Sequence, residues 1–354
     1  MINYSFKKIV VAIAAIMCYE TSAAEAPQNY YSSCENLGGK ALLQQLCNVV
    51  GNPDVTSYAG LWTTYLTSDV DENGKIWDMY STKRWTPKSE QCGSYKNIGD
   101  CYNREHSFPK SWFNEKSPMV SDAFHIYPTD GKVNGQRSNF PYGECEDGTY
   151  VASSGSVQAL GKLGKCTFSG YTGTVWEPDD EYKGDLARTY FYMAACYNDK
   201  IASWSSDMLA KNNYPCYTTW AVNLLMKWNE QDPVSEKELK RQEAVYAVQG
   251  NRNPFIDHPE MADYIWGDKT NETWSSTKPS TSGVETASTV SINVTAGAGT
   301  ITVTTGDEWT PLMICGVDGV VWFDGKVSER ETFDVEPGIY VVRGADNVWR
   351  LLVK

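Results

Sequence analysis

One stretch divides this chain before any secondary structure is considered. Residues 268–290, DKTNETWSSTKPSTSGVETASTV, are dominated by Ser and Thr and offer little that a core could bury. A linker there requires the segments on either side to build separate cores. Residues 25–267 are dense in aromatics and carry helix-like periods. Leu186, Tyr190, Met193 and Tyr197 fall on one stripe, which predicts a core helix over 184–197. Ser235 with Glu238 reads as a capping box and Gly250 as a stop, predicting a helix over 236–249, and a short one follows over 259–266. Residues 291–354 instead show short β-rich runs separated by Gly and Asp: 291–294, 300–304, 312–315, 320–323, 332–335, 338–343 and 349–353. The expected class is α+β: a mostly helical domain followed by a small all-β domain.

The chain opens with Lys7 and Lys8, an apolar run from Ile9 to Met17, and the small residues Ser22, Ala23 and Ala24. That pattern predicts a cleaved export signal over residues 1–24, with the mature chain starting near Glu25. The apolar run is too short to span a bilayer as a helix. Attachment to lipid through Cys18 is a weaker alternative, because Ile-Met before that cysteine suits it poorly. A secreted or cell-surface protein is therefore expected. Eight of the ten cysteines lie between Cys34 and Cys216, an even set that in an exported chain reads as disulfides. Neighbour pairing would give Cys34–Cys47, Cys92–Cys101, Cys145–Cys166 and Cys196–Cys216, although spacing does not fix connectivity. Without a CxxC pair, a cysteine-bound zinc is not expected.

A net charge of −13 argues against holding nucleic acid by bulk electrostatics. Residues 83–140 run the other way, with nine Lys and Arg against six acids, a local +3. Two of the three histidines, His106 and His125, lie in this region, within REHSFPKSW (104–112) and SDAFHIYPTDGKVNGQRSNFPYG (121–143). A neutral imidazole can act as base near neutral pH. In a strand, Glu105 and His106 face opposite ways, so one site can use both only at a bend or a strand end. Asp130-Gly131 starts a turn, and a short helix over 132–139 would present Asn134 and Arg137 three residues apart. A carboxylate and an amide oxygen are hard ligands that suit Mg²⁺ or Ca²⁺, and Mg²⁺ needs only one or two from the protein.

These two stretches, with 61–81 (LWTTYLTSDVDENGKIWDMYS), 177–197 (EPDDEYKGDLARTYFYMAACY) and 249–255 (QGNRNPF), resemble the bacterial endonuclease I family, whose catalytic unit is the ββα-metal, or His-Me, finger. The resemblance covers most of residues 30–267. It implies His106 as general base, Glu105 and Asn134 as metal ligands, and one Mg²⁺, with Ca²⁺ or Mn²⁺ as substitutes. It further implies sequence-nonspecific hydrolysis of DNA, with RNA as a second candidate, to 5′-phosphate and 3′-hydroxyl ends. Two departures stand out. The family's D-L-H-H is here Asp122-Ala123-Phe124-His125, which favours a packing role for His125. No arginine lies in 107–120, where some members carry the one that holds the cleaved phosphate. Arg137 is the leading replacement, with Arg104 and Arg188 as alternatives. Residues 335–343 and the terminal 351–354 resemble the sorting domains of the Bacteroidetes type IX secretion pathway, which would make that machinery a partner. A carbohydrate- or surface-binding β-sandwich remains open for this module. For the whole chain, the alternative is a nuclease-like scaffold that binds nucleic acid or a surface without cutting.

Two further features read as architecture. Asp69-Val-Asp71-Glu-Asn73-Gly74 starts like an EF-hand loop but has Tyr80 at the twelfth position, so a turn before a buried Trp77 is expected. His258, between Asp257 and Pro259, suits a helix entry.

Overall fold

The computed structural model describes residues 26–146, 148–150, 155–276 and 293–353, apart from 298, 306–309, 317–320 and 345–346. The expected export signal lies outside them. The chain forms two compact units that divide at residue 280. In the first, α1 (Gly39–Val50) and α2 (Leu61–Ser68) precede β1 (Tyr102–His106), β2 (Ile126–Asp130) and α3 (Gly131–Arg137). Three short strands follow, β3 (Thr149–Tyr150), β4 (Lys162–Lys165) and β5 (Thr174–Glu177). The remaining helices are α4 (Lys183–Cys196), α5 (Thr219–Gln231), α6 (Glu236–Gln249), α7 (Pro254–Asp257) and α8 (Met261–Ile265).

The helix expected from the Leu186 stripe is α4, but the stripe understates it, because every residue of α4 is buried. Helices α1, α5 and α7 pack around it. Its Arg188 is tolerated there because Nε and Nη2 donate to the Glu238 carboxylate at 2.7 and 2.6 Å. Helix α6 has the predicted bounds. The Ser235 hydroxyl accepts from Glu238 N, the Glu238 carboxylate accepts from Ser235 N, and Gly250 ends the helix at φ 69°. From α6, Arg241 donates to Asp69 Oδ1 (2.9 Å) and to the carbonyls of Ala123 and Ile126 (2.6 and 3.1 Å), fastening the helix to the start of β2. Asp69 is thus a counter-ion, and Asp71 accepts from Asn73 N and Lys75 N, a turn that leads to the buried Trp77.

The second unit contains β6 (Asn293–Gly297), β7 (Thr300–Thr304), β8 (Thr310–Gly316), β9 (Val321–Val327), β10 (Arg330–Asp334), β11 (Gly338–Gly344) and β12 (Asn347–Val353). They form two antiparallel sheets, ordered β10-β7-β6 and β12-β11-β8-β9, over a core that includes Ile301, Ile314 and Val342. The α+β class with a strand-rich C-terminal part is as expected from the sequence.

Two expectations need correction. Residues 268–276 do not behave as free linker. Trp274 is 1% exposed, its Nε1–H donates to Glu260 Oε1 (3.1 Å) and its backbone N–H to Leu37 O (2.8 Å). The apolar indole outweighs the polar composition around it, and residues 277–290 lie outside the described residues. Among the described cysteines, only Cys92–Cys101 is bonded, and the other three neighbour pairs are free thiols. The packing of α1 on α4 turns Cys47 toward the Cys196 carbonyl (3.7 Å), while Cys196 Sγ faces Val50 O (3.3 Å). Neither thiol therefore points at its sequence neighbour. No described helix is long and apolar enough to cross a membrane.

Candidate active site

Strands β1 and β2 pair antiparallel from Tyr102–Asp130 to His106–Ile126, and α3 starts directly from the end of β2. Asp130 makes that junction. Its Oδ1 accepts from Lys132 N and Val133 N (2.8 and 3.1 Å), capping α3, and its Oδ2 accepts from Gly99 N (2.6 Å). Its own N–H donates to the buried Asp78 Oδ2 (2.7 Å), a carboxylate that also accepts from Tyr80 N, Ser81 N, the Ser81 hydroxyl and Trp85 Nε1. The loop closed by Cys92–Cys101 leans on the same corner, where Gly131 N donates to Cys101 O (2.9 Å). A Cβ on Gly131 would sit 2.6 Å from the Tyr95 ring, so this position has no room for a side chain. Helix α3 stops two residues earlier than expected because Ser138 turns to φ 57°.

The alternation of β1 sorts the candidates onto two faces. On one, Glu105 is 3% exposed. Its Oε1 accepts from the Tyr80 hydroxyl (3.0 Å) and pairs with Arg137 Nη1 (3.0 Å), and the Tyr142 hydroxyl lies 2.6 Å from that of Tyr80. Asn103, two residues before Glu105, accepts from Asn134 Nδ2 (2.7 Å). On the other face, the His106 ring packs against Tyr58, His125 and Phe113, with centroids 5.8, 5.5 and 6.4 Å away. Glu105 and His106 therefore do face apart, and His106 is the last residue of β1.

The His106 Nε2–H donates to Val120 O (3.2 Å), which leaves Nδ1 as the lone-pair nitrogen. Burial and the neighbouring His125 push its pKa down to about 3, so the ring is neutral at physiological pH. Burial pushes the Glu105 carboxyl upward, while Arg137 and Tyr80 oppose that shift. Within the described residues, Glu105 Oε2 and Asn134 Oδ1 have no hydrogen-bond partner. One carboxylate oxygen and one amide oxygen left open beside each other's elements suit a hard divalent cation that keeps most of its waters. No cluster of three or more His, Cys, Asp or Glu able to hold a metal occurs among the described residues.

Arg137 faces inward. At 1% exposure it donates to the carbonyls of His106 (3.2 Å), Ser107 (2.7 Å) and Ser138 (3.3 Å), pairs with Glu105 and lies 4.5 Å from the Tyr142 ring centre. Arg188 is equally enclosed by Glu238. Arg104 differs. Its guanidinium lies over Tyr58 (3.6 Å) and Trp62 (4.5 Å), donates to Tyr58 O (2.6 Å) and forms no ion pair among the described residues. His125 is fully buried, with its Nε2–H on Met119 O (2.6 Å), as a packing residue would be. The sequence reading missed Asn103, Tyr58, Tyr80 and Tyr142. The period of two in β1 was signal enough for Asn103, but nothing local marks the three tyrosines: Tyr58 and Tyr80 arrive from segments well before β1, and Tyr142 from the segment five residues past Arg137.

Residues 38–260, well over half of the chain, match the family model described as Endonuclease I. The chain belongs to the endonuclease I family. It is 34% identical over 254 residues to the extracellular ribonuclease of Bacillus amyloliquefaciens, covering 68% of this chain and 78% of the relative. The extracellular ribonuclease of Bacillus subtilis (strain 168) matches at the same identity, over 67% of this chain and 78% of that protein. The extracellular deoxyribonuclease of Aeromonas hydrophila is 26% identical over 47% of this chain and 56% of its own length. As an endonuclease I family member the chain is a nucleic-acid hydrolase, and the finger of β1, β2 and α3 lies inside the matched region.

Proposed function

We propose that this endonuclease I family protein is exported and cuts DNA, with RNA as a second substrate, without requiring a recognition sequence in duplexes, in a reaction that needs Mg²⁺ or a similar divalent cation. The observation that carries the reading is the pair of oxygens without a partner among the described residues, Glu105 Oε2 and Asn134 Oδ1, on the finger whose strand ends at His106. Relatives named ribonuclease and deoxyribonuclease support both substrates, and their extracellular naming supports export by the N-terminal signal. The C-terminal unit is assigned to sorting through the secretion machinery.

Glu105 and Asn134 would hold the cation, which when bound adds positive charge at the phosphate and the leaving oxygen. His106 Nδ1 takes a proton from the attacking water, while the Nε2–H bond to Val120 O keeps the ring in the competent tautomer and orientation. Arg137 positions Glu105 and the end of β1 rather than touching substrate. Arg104, which lies on the His106 side and forms no ion pair among the described residues, is the arginine we assign to the phosphate. Conversion of supercoiled plasmid to nicked and linear forms with Mg²⁺ tests the reading. Cleavage that persists in excess EDTA would remove the cation, and DNA binding with no cleavage under any divalent metal would favour the scaffold alternative.

A further inference from the structure

A concave surface of about 460 Å³ lies against the finger and takes no part in the chemistry above. Ser111 and Trp112 reach it from the turn after β1, Asn139 and Pro141 from the segment leaving α3, and Tyr171 and Asp207 from the opposite wall. The Asn139 Nδ2–H donates to the Ser111 hydroxyl (3.3 Å), so the two segments that flank the finger meet at this rim. The volume is in the range of small-ligand pockets and is ample for one nucleoside. No Lys, Arg or His lines it, which makes it a poor phosphate site. What it offers instead is aromatic surface, hydroxyls, an amide and one carboxylate.

That carboxylate is solvent-exposed and is oriented by one side-chain hydrogen bond. Tyr171 donates to Asp207 Oδ2 (2.6 Å) and stacks on Trp220 at 4.5 Å and 7°. Trp220 Nε1 in turn donates to the Asp207 backbone carbonyl (3.2 Å). Asp207 Oδ1 has no partner among the described residues, and Oδ2 retains acceptor capacity. Building on the nuclease reading, we propose that this pocket receives one unpaired base close to the cut phosphate and prefers guanine. Guanine alone presents two adjacent donors, N1–H and the N2 amino group, on its Watson–Crick edge, which match the two oxygens of a carboxylate. In a duplex that edge is engaged, so the preference belongs to single strands.

Random-sequence single-stranded oligonucleotides, cut with Mg²⁺ and sequenced at the new ends, test the proposal. The wild type should enrich guanine roughly five-fold or more at one fixed position near the cut, the low end of discrimination by a paired hydrogen bond. Asp207→Ala should lose that enrichment while cutting plasmid normally, and Tyr171→Phe, which keeps the carboxylate but removes the bond that orients it, should weaken the enrichment without abolishing it. A parallel fluorescence titration with guanosine and adenosine is independent of cleavage. Guanosine binding that Asp207→Ala abolishes supports the pocket. Equal binding of both nucleosides, or the same base bias in wild type and Asp207→Ala, overturns it. Failure to cut any nucleic acid while guanosine still binds would sink the nuclease reading and not the pocket.

Discussion

Replacing Arg137 by Met keeps the stem of the side chain and removes its charge and its donors. In the native chain that guanidinium is 1% exposed and serves the Glu105 carboxylate and three backbone carbonyls, those of His106, Ser107 and Ser138. Without it Glu105, itself 3% exposed, is a buried carboxylate with Tyr80 as its remaining donor. Breaking one half of a buried ion pair costs about 3–5 kcal/mol, and the orphaned carbonyls place the cost at the upper part of that range. For a unit of this size the loss lowers the melting temperature by roughly 8–20 °C. Arg137→Lys retains the charge but not the planar fork, and should lose about half as much. Adding Glu105→Gln to Arg137→Met should recover part of the stability, because the uncompensated charge is gone. Thermal unfolding followed by tryptophan fluorescence measures all three. A melting point within about 2 °C of wild type for Arg137→Met, combined with a large loss of cleavage, would refute the bracing role and return Arg137 to the phosphate.

Three further outcomes follow from the same structure. Ser235→Ala removes the α6 capping box and should cost about 1 kcal/mol, leaving plasmid cleavage unchanged; an activity loss without a stability loss would contradict a purely architectural cap. Gly131→Ala pushes a methyl group into the Tyr95 ring and should lower stability, whereas in a Tyr95→Ala background it should be nearly neutral; additive effects in this cycle would remove the contact as the cause. Burial holds the His125 imidazole below the ordinary histidine range, so its contribution is fully present above the unfolded pKa of about 6.5 and is lost as pH falls below it. Melting temperature should therefore fall more steeply on acidification for wild type than for His125→Gln, and parallel curves would contradict this.

Local signals carried much of the fold. The capping box and Gly250 set both ends of α6, and seven β-rich runs became seven strands, because caps, turns and alternation are short-range. Burial was harder to read. The α4 pattern showed one stripe, yet helices packed on several sides bury its charged residues too, and that depends on segments far along the chain. Trp274 illustrates the same limit, since composition marked a linker and one indole found the core. At the candidate site, the spacing predicted that Glu105, His106 and Asn134 would lie on neighbouring elements, and β1 and α3 do carry them. The inward turn of Arg137 was not legible, because its partners are main-chain carbonyls that carry no sequence signature. Cysteine pairing held for Cys92–Cys101, nine residues apart in one loop, but not for the other three pairs, for a related reason: spacing along the chain says little about which way a thiol points on a packed helix.

The most direct test of the proposed chemistry is the rate of supercoiled-plasmid nicking at saturating Mg²⁺ for His106→Ala, measured beside its melting temperature. Loss of a positioned general base should lower the rate by about 10²–10⁴-fold while the protein stays folded. A folded His106→Ala protein that nicks within a few-fold of wild type would contradict the assignment of His106 as the base.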